Sequence, residues 1–343
     1  MCSATTLIPP TAGHSGAARS HASLVAPAIV APAIVAIPAR GGCPADGSQV
    51  LTARSFNGRW LALRATDSDQ ANTRIVVIDT SAMRPVADSW IGGAFGLDAI
   101  SADGRLVYPI QSLPTRGYGV HQVRSYQVGH TGVDARVVVA PGEAPGSMSG
   151  EAWSRAWSPG GSWLYTLYVQ SSGHVFVHAL HLAARETRCI DFPALSGSVQ
   201  ETSHFTLSVA PDGRALYAVN PVVGLAVAVR SLPGGKVSVA HLAVRTGSPQ
   251  RTQSAAVAPD GRTVFVATGA GVWAIDAAAL TLRRVFVPYQ EVASVALSGD
   301  GLRLYALSLT DQAVDVLTPA TGAFTNSLQL QGGWAIETVM AAS

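Results

Sequence analysis

Lysine is almost missing from this chain: Lys236 is the only one in 343 residues. Charged residues of all kinds make up 13%, and 23 Lys+Arg against 21 Asp+Glu leave a formal net charge of +2. A chain so close to neutrality lacks the basic field that nucleic acid or an anionic membrane surface requires, so neither is expected as a partner. The arginine bias, beside abundant alanine, reads as the mark of a GC-rich genome rather than of selective oxyanion recognition. Cysteine is scarce as well. Cys2, Cys43 and Cys189 are too few and too scattered for a disulfide scaffold or a zinc site, and could form one bridge at most. No window longer than about twelve residues keeps a helical apolar period, which disfavours a parallel α/β sheet. The apolar run from Leu24 to Ala39 is sixteen residues, short for a membrane span, and prolines at 27, 32 and 38 would break its helix.

That run belongs to a segment, residues 1–45, whose composition differs from the rest. Three readings stay open for it: a secretory signal, a tail without fixed structure, or strands that help close the fold. Ala39-Arg-Gly-Gly42 before Cys43 is a poor lipoprotein signal, because arginine stands where an aliphatic residue is expected. Export is weighted slightly above the others, so an extracytoplasmic location, secreted or periplasmic, is favoured over a cytoplasmic one.

What the chain does have is glycine, proline and repetition. It is 48% hydrophobic, with 34 glycines and 20 prolines, enough for a large core and many tight turns. One pattern recurs six times: Ser55-Phe-Asn-Gly-Arg-Trp-Leu61, Ser101-Ala-Asp-Gly-Arg-Leu-Val-Tyr108, Ser158-Pro-Gly-Gly-Ser-Trp-Leu-Tyr165, Ala210-Pro-Asp-Gly-Arg-Ala-Leu-Tyr217, Ala258-Pro-Asp-Gly-Arg-Thr-Val-Phe265 and Ser298-Gly-Asp-Gly-Leu-Arg-Leu-Tyr305. The glycines at 58, 104, 161, 213, 261 and 301 are 46, 57, 52, 48 and 40 residues apart, the period of a propeller blade. Asp-Gly between alternating apolar runs is a hairpin signal, because glycine accepts the positive φ of a tight reversal. A second hairpin follows each first one, as in Gly271 to Val287, so each repeat holds four strands, named a to d in chain order. Both faces of the middle strands are apolar, which a sheet covered by a neighbour on each side explains.

The expected fold is therefore all-β: a β-propeller of four-stranded antiparallel blades over residues 46–343, seven blades, with six as the alternative. Gly333-Trp-Ala-Ile-Glu-Thr-Val-Met340 lines up with the inner strand Glu291–Leu297 and would open a seventh blade. Residues 24–45 would supply its outer strands, although their prolines suit only an edge.

Gly213-Arg-Ala-Leu-Tyr-Ala-Val-Asn220, Pro259-Asp-Gly-Arg-Thr-Val-Phe-Val-Ala-Thr268 and Val272-Trp-Ala-Ile-Asp276 resemble the YVTN-type, WD40-like repeats of bacterial seven-bladed propellers, within the lactonase-like superfamily. The resemblance covers about residues 50–340 and is specific for fold. It implies relatives among lactonase-like enzymes, quinoprotein amine dehydrogenase subunits, haem-bearing nitrite reductase domains and extracytoplasmic binding proteins. None of their cofactor-attachment signatures is present, so no cofactor is expected and no family site is carried over.

Chemical motifs mostly dissolve into strands and turns. Gly269-Ala-Gly-Val-Trp-Ala274 matches a dinucleotide fingerprint in letters, but Val272-Trp-Ala-Ile alternates as a strand where a helix should open. His174 and His178 would share a strand face roughly 13 Å apart, with His181 opposite, too spread for one metal. Gly146-Ser-Met-Ser-Gly150 misplaces its serines for a nucleophile elbow. Asp103, Asp212, Asp260 and Asp300 sit in hairpin turns and are expected to bond their own backbone.

Function is thus sought in loops on a rigid ring. The Asp-Gly turns occupy one rim; the b-to-c turns and d-to-a crossings occupy the other and carry the less regular chemistry. Arg116, Tyr118, His121, Glu151, Glu201, His204, Arg251 and Glu291 are expected to point toward a common mouth there as ligand-binding residues, with no catalytic residue or metal ligand assigned. The reading is a non-catalytic, monomeric binding scaffold for a protein, glycan or small molecule. Its alternative is a lactone-type hydrolase in which Glu151, Glu201 or His204 activates water or a metal.

Overall fold

The repeated turn closes on itself with one set of bonds. In the computed structural model, which describes residues 52–67, 69, 71–117, 119–192, 195, 198–246 and 254–330, the Ser101 hydroxyl donates to Asp103 Oδ1 at 2.6 Å and accepts the Leu106 N–H at 2.9 Å. The same Asp103 oxygen accepts the Arg105 N–H at 3.0 Å. Ser55 with Asn57 and Ser298 with Asp300 repeat the arrangement. Asp212 and Asp260 each accept the N–H two residues on, both at 2.9 Å. Each of these aspartates thus accepts a backbone N–H of its own turn, as its position in the sequence implies.

The strands between the turns form six antiparallel sheets among the described residues. Blade 1 holds β1 (Thr52–Arg54), β2 (Trp60–Thr66), β3 (Asn72–Asp79) and β4 (Arg84–Gly92). Blade 2 holds β5 (Phe95–Ile100), β6 (Leu106–Ser112), β7 (Val120–Val123), β8 (Tyr126–Gln127) and β9 (Met148–Ser149). Blade 3 holds β10 (Glu151–Trp157), β11 (Trp163–Val169), β12 (Val175–His181) and β13 (Glu186–Asp191). A four-residue helix, α1 (Val199–Thr202), leads to blade 4, made of β14 (Thr206–Val209), β15 (Ala215–Asn220), β16 (Leu225–Arg230) and β17 (Lys236–His241). Blade 5 holds β18 (Ala255–Val257), β19 (Thr263–Thr268), β20 (Gly271–Asp276) and β21 (Leu282–Phe286); blade 6 holds β22 (Val292–Leu297), β23 (Leu304–Ser308), β24 (Ala313–Leu317) and β25 (Phe324–Gln329).

Each sheet runs in chain order from first strand to last, the blade of a β-propeller. Gly271 opens β20, so the dinucleotide fingerprint is a strand, and Gly146–Gly150 contains the short outer strand β9. The expected strand at 333–340 and the segment 1–45 lie outside the described residues. No described helix is long and apolar enough to cross a membrane.

Blade 2 accounts for the longest repeat step. Its third strand is split, β7 and β8 both pairing with β6, and an excursion from Val128 to Ser147 precedes β9. Arg124 holds that excursion by donating to the carbonyls of Asp134 and Ala135 at 2.7 and 3.0 Å.

Apolar wedges fill the space between blades. Leu167, Val177 and Ala179 of blade 3 meet Leu207, Leu216 and Val227 of blade 4, all buried. Each larger aliphatic chain so covered contributes ~1.5–3 kcal/mol. Side chains also staple neighbouring blades to each other's backbone. Arg64 donates to the Phe95 carbonyl at 3.2 Å and Arg155 to the Asp98 carbonyl at 3.3 Å. The Ser154 hydroxyl accepts the Leu207 N–H at 2.9 Å, and the Ser254 hydroxyl accepts the Val295 N–H at 2.7 Å.

At the junction of blades 1 and 2 the turn glycine is required twice over. Gly104 has φ of 72°, and a Cβ there would stand 2.5 Å from the Trp60 ring, which is anchored by its indole N–H to the Ala102 carbonyl at 3.1 Å. Gly104→Ala is expected to cost about 2 kcal/mol from left-handed strain and overpacking together. The urea midpoint should fall at unchanged slope; an unchanged midpoint would mean that the ring yields freely.

Candidate functional site

The antiparallel order sets the two rims. The a-to-b and c-to-d turns lie on one side, the b-to-c turns and d-to-a crossings on the other. Of the eight rim residues expected from sequence, Tyr118 and Arg251 lie outside the described residues. Arg116 is exposed in a single 3₁₀ turn, Pro114–Arg116. Glu151 is half-buried at the start of β10, paired across from Val169. Glu201 belongs to α1, and Glu291 is exposed in the crossing before β22. His204 is half-buried beyond α1, its ring edge-on to Trp153 at 5.9 Å, and burial lowers its pKa. His121 departs from expectation. It lies in β7 with its ring buried, because β7 runs into the wedge between blades 2 and 3 rather than out to the mouth. Among the described residues no hydrogen bond or ion pair joins any two of Arg116, His121, Glu151, His204 and Glu291.

What this rim does present is apolar surface. Trp153, at a bulge in the innermost strand of blade 3, is 43% exposed; Val199 on α1 and Val244 in the next crossing are exposed beside it in chain order. Tyr289, between blades 5 and 6, is 95% exposed at φ of 75°, with Val287 at φ of 40° two residues before it. Left-handed backbone is costly for a β-branched residue, so the surrounding bonds must impose it. They are present: Gly271 N–H to Gln290 O at 2.8 Å, Gln290 Nε2 to Asp311 Oδ2 at 2.7 Å, Glu291 N–H to Thr310 Oγ1 at 3.0 Å and Leu309 N–H to Glu291 O at 2.8 Å. The crossing is thus bound to the b-to-c turn of blade 6, and that turn carries another exposed apolar residue, Leu309.

A second constellation, which the sequence reading missed, is buried between blades 2 and 3. The register of blade 3 aligns Arg155, Thr166, His178 and Cys189 in one row across all four strands. The neighbouring row brings Tyr168 against Phe176. Leu164 and Leu180 of this face pack with Ala99, Tyr108 and Val123 of blade 2, so the row looks into the wedge except at its outer end, where Cys189 is exposed. From blade 2 come Asp98 and His121. Asp98 forms an ion pair with Arg155 at 3.2 Å, with its own side chain fully covered and that of Arg155 25% exposed. The contact does not meet hydrogen-bond geometry, and both carboxylate oxygens lack a hydrogen-bond donor among the described residues.

The rings of His121 and Tyr168 lie 5.3 Å apart, and those of Tyr168 and His178 6.1 Å. His121 Nδ1 meets the Gly119 carbonyl at 2.9 Å, which makes it the protonated nitrogen of the neutral ring. Its Nε2, His178 Nδ1, the Tyr168 hydroxyl and the Thr166 hydroxyl have no hydrogen-bond partner among the described residues. Burial lowers the pKa of His121 and brings that of His178 down to about 4, while it raises that of the Tyr168 phenol. At neutral pH the wedge therefore holds two neutral imidazoles and a protonated phenol beside one ion pair. Such a set confers pH sensitivity rather than nucleophilic chemistry. Its sequence signal was a single aspartate inside the run Phe95-Gly-Leu-Asp-Ala-Ile100, every residue of which is buried.

The remaining chemistry is dispersed. His174 bonds Asp191 at 3.1 Å, while His181 accepts the Ala184 N–H and stands edge-on to Trp163 across the sheet. Among the described residues no three His, Cys, Asp or Glu side chains are grouped to hold a metal ion, and Cys189 is a free thiol.

The chain matches no protein-family model and no curated protein. Its fold does match solved structures. The β-propeller domain of Cps50 (Swd1) from Myceliophteria thermophila superposes with a TM-score of 0.51 at 11% identity, over 90% of this chain and 93% of that one. A candidate 6-phosphogluconolactonase from Bacteroides uniformis gives 0.49 at 13% identity, over 85% and 88%. Hydrazine synthase from Kuenenia stuttgartiensis gives 0.46 at 16%, over 82% and 83%. At such identities the likeness is one of fold alone.

Proposed function

We propose that this chain is a YVTN-type propeller acting as a non-catalytic binding scaffold, and that its d-to-a rim docks a protein partner through Trp153 and Tyr289. The observation behind this is the pairing of exposed aromatic side chains with a backbone that is bonded into place. Large aromatic residues are favoured anchors of protein interfaces, and a crossing fixed beforehand loses little entropy when it binds. His204, Arg116 and Glu291 supply a polar border of the kind that surrounds such anchors.

Quantitative capture from an extract of cells that express the protein tests the reading. The intact ring, a Trp153→Ser/Tyr289→Ser variant and a Leu302→Ser variant, altered on the Asp-Gly rim, are compared at equal loading. A partner retained by the first and third forms should be held at least ~30-fold more weakly by the second, the loss of one or two interface anchors. Equal retention by all three forms would refute the assignment of this rim.

A further inference from the structure

On the opposite rim, away from the docking surface just described, a cavity of about 250 Å³ opens between blades 3 and 4. It is an open pocket, lined by Trp163 and Tyr165 of β11, Pro159 and Pro211 of two successive turns, and Pro233. The two rings lie within 16° of parallel with centroids 6.3 Å apart. Asp212 supplies the only formal charge in the lining. One of its oxygens accepts the Arg214 N–H at 2.9 Å, and it makes no ion pair among the described residues. Tyr165 is only 1% exposed, so Trp163 is the aromatic ring open to the cavity.

We infer that this cavity is a binding site for a small organic cation, specifically a methylated ammonium group. Size is the first argument. The volume falls below the ~300 Å³ at which drug-sized pockets begin, so it suits one compact group. Charge is the second: no arginine or lysine lines the cavity, and a lone carboxylate stands at its edge, which repels phosphates and carboxylates and attracts cations. The half-buried Trp163 ring supplies the third. Aromatic faces attract cations through the ring quadrupole, most strongly when the cation is shed of water. A primary ammonium is strongly hydrated and needs several acceptors. The Ser158 hydroxyl already accepts the Trp163 N–H at 3.0 Å and lies 3.5 Å from the Ser162 hydroxyl, so these two hydroxyls are engaged with their own turn. A methylated ammonium asks for none.

Ligand-observed NMR on the full chain, with tetramethylammonium chloride and its uncharged isostere tert-butanol, separates the possibilities. Tetramethylammonium is expected to bind at about millimolar concentration, and tert-butanol at least about 5-fold more weakly. Asp212→Asn keeps the oxygen that accepts the Arg214 N–H, so the turn survives while the charge goes; it should weaken tetramethylammonium about 5-fold and leave tert-butanol unchanged. Trp163→Leu should abolish the preference for the cation. Equal binding of the two probes to the unaltered chain, absence of tetramethylammonium binding, or full affinity in Asp212→Asn would each overturn the inference. None of these readouts involves the d-to-a rim, so the outcome is independent of the partner proposed above.

Discussion

Asp98→Ala is expected to lower the unfolding free energy by about 3–5 kcal/mol, toward the smaller figure, because it strands the Arg155 guanidinium in the wedge between blades 2 and 3. The carboxylate is fully covered and the guanidinium is 25% exposed, so the arginine that loses its partner regains part of its hydration by leaning outward. The same arginine still donates to the Asp98 backbone carbonyl, which alanine retains. Removing both charges together removes the uncompensated one. Asp98→Ala/Arg155→Met should therefore be more stable than Asp98→Ala alone, a coupling of the kind a double-mutant cycle isolates. Urea unfolding of the four forms measures it. A single variant within 1 kcal/mol of the parent, or a double variant that loses the sum of the two singles, would show that the pair does not act as a unit.

Acid should loosen the ring in two separate steps. His178 has a folded pKa of about 4 against an ordinary 6.5, because burial disfavours the imidazolium. The unfolded chain thus takes up its proton first. Stability is full above about pH 6.5, declines as pH falls, and has lost about 3 kcal/mol from this residue once pH passes 4. His121 shifts in the same direction for the same reason and adds to the same window. Asp79 acts lower down. The Ser81 hydroxyl, with backbone donors and Arg59, holds its carboxyl at about 2 against 3.8, so its contribution is lost only below pH 4. Equilibrium unfolding followed at pH 7, 5.5, 4.5 and 3.5 should show the upper step in the parent and a reduced one in His178→Phe, whose ring can occupy the place beside Tyr168. An upper step of the same size in both would assign the acid response elsewhere.

The ring was legible in the sequence because its turns are chemically stereotyped. Ser-x-Asp-Gly fixes a bond pattern within six residues, and what is fixed locally can be read locally. Gly104 and Gly301, 197 positions apart, perform the same reversal with φ of 72° and 68°. The wedge constellation could not be read that way. Arg155, Thr166, His178 and Cys189 share a row only because of the pairing register of three hairpins, and one residue of slip would have sent them to the face that packs on blade 4. His121 shows the complementary difficulty. Four polar or turn-forming residues around it suggest loop, yet alternation with Val123 places both on the buried face of β7. The rim anchors were hidden for a third reason: Trp153 and Tyr289 have the composition of core residues, and only a bulge in one case and left-handed backbone in the other turn them outward. The cavity beside Trp163 arises where turns of separate blades meet, a juxtaposition no single repeat encodes.

The excursion between Val128 and Ser147 has a consequence for what the ring could carry. It departs from the third strand of blade 2 and returns to its fourth; on the way Val138 is buried with Leu164 and Leu180 of blade 3 and Asp134 pairs with Arg185 at 3.4 Å, and Gln122 secures its far end through the Gly146 carbonyl at 2.9 Å. The middle of the stretch is bonded and partly buried, whereas the run 141–147 is exposed throughout and belongs to no strand, so additional sequence grafted there would ride as cargo on the perimeter. This is the place where such a ring can acquire an appendage, or receive an engineered one, without renegotiating its closure.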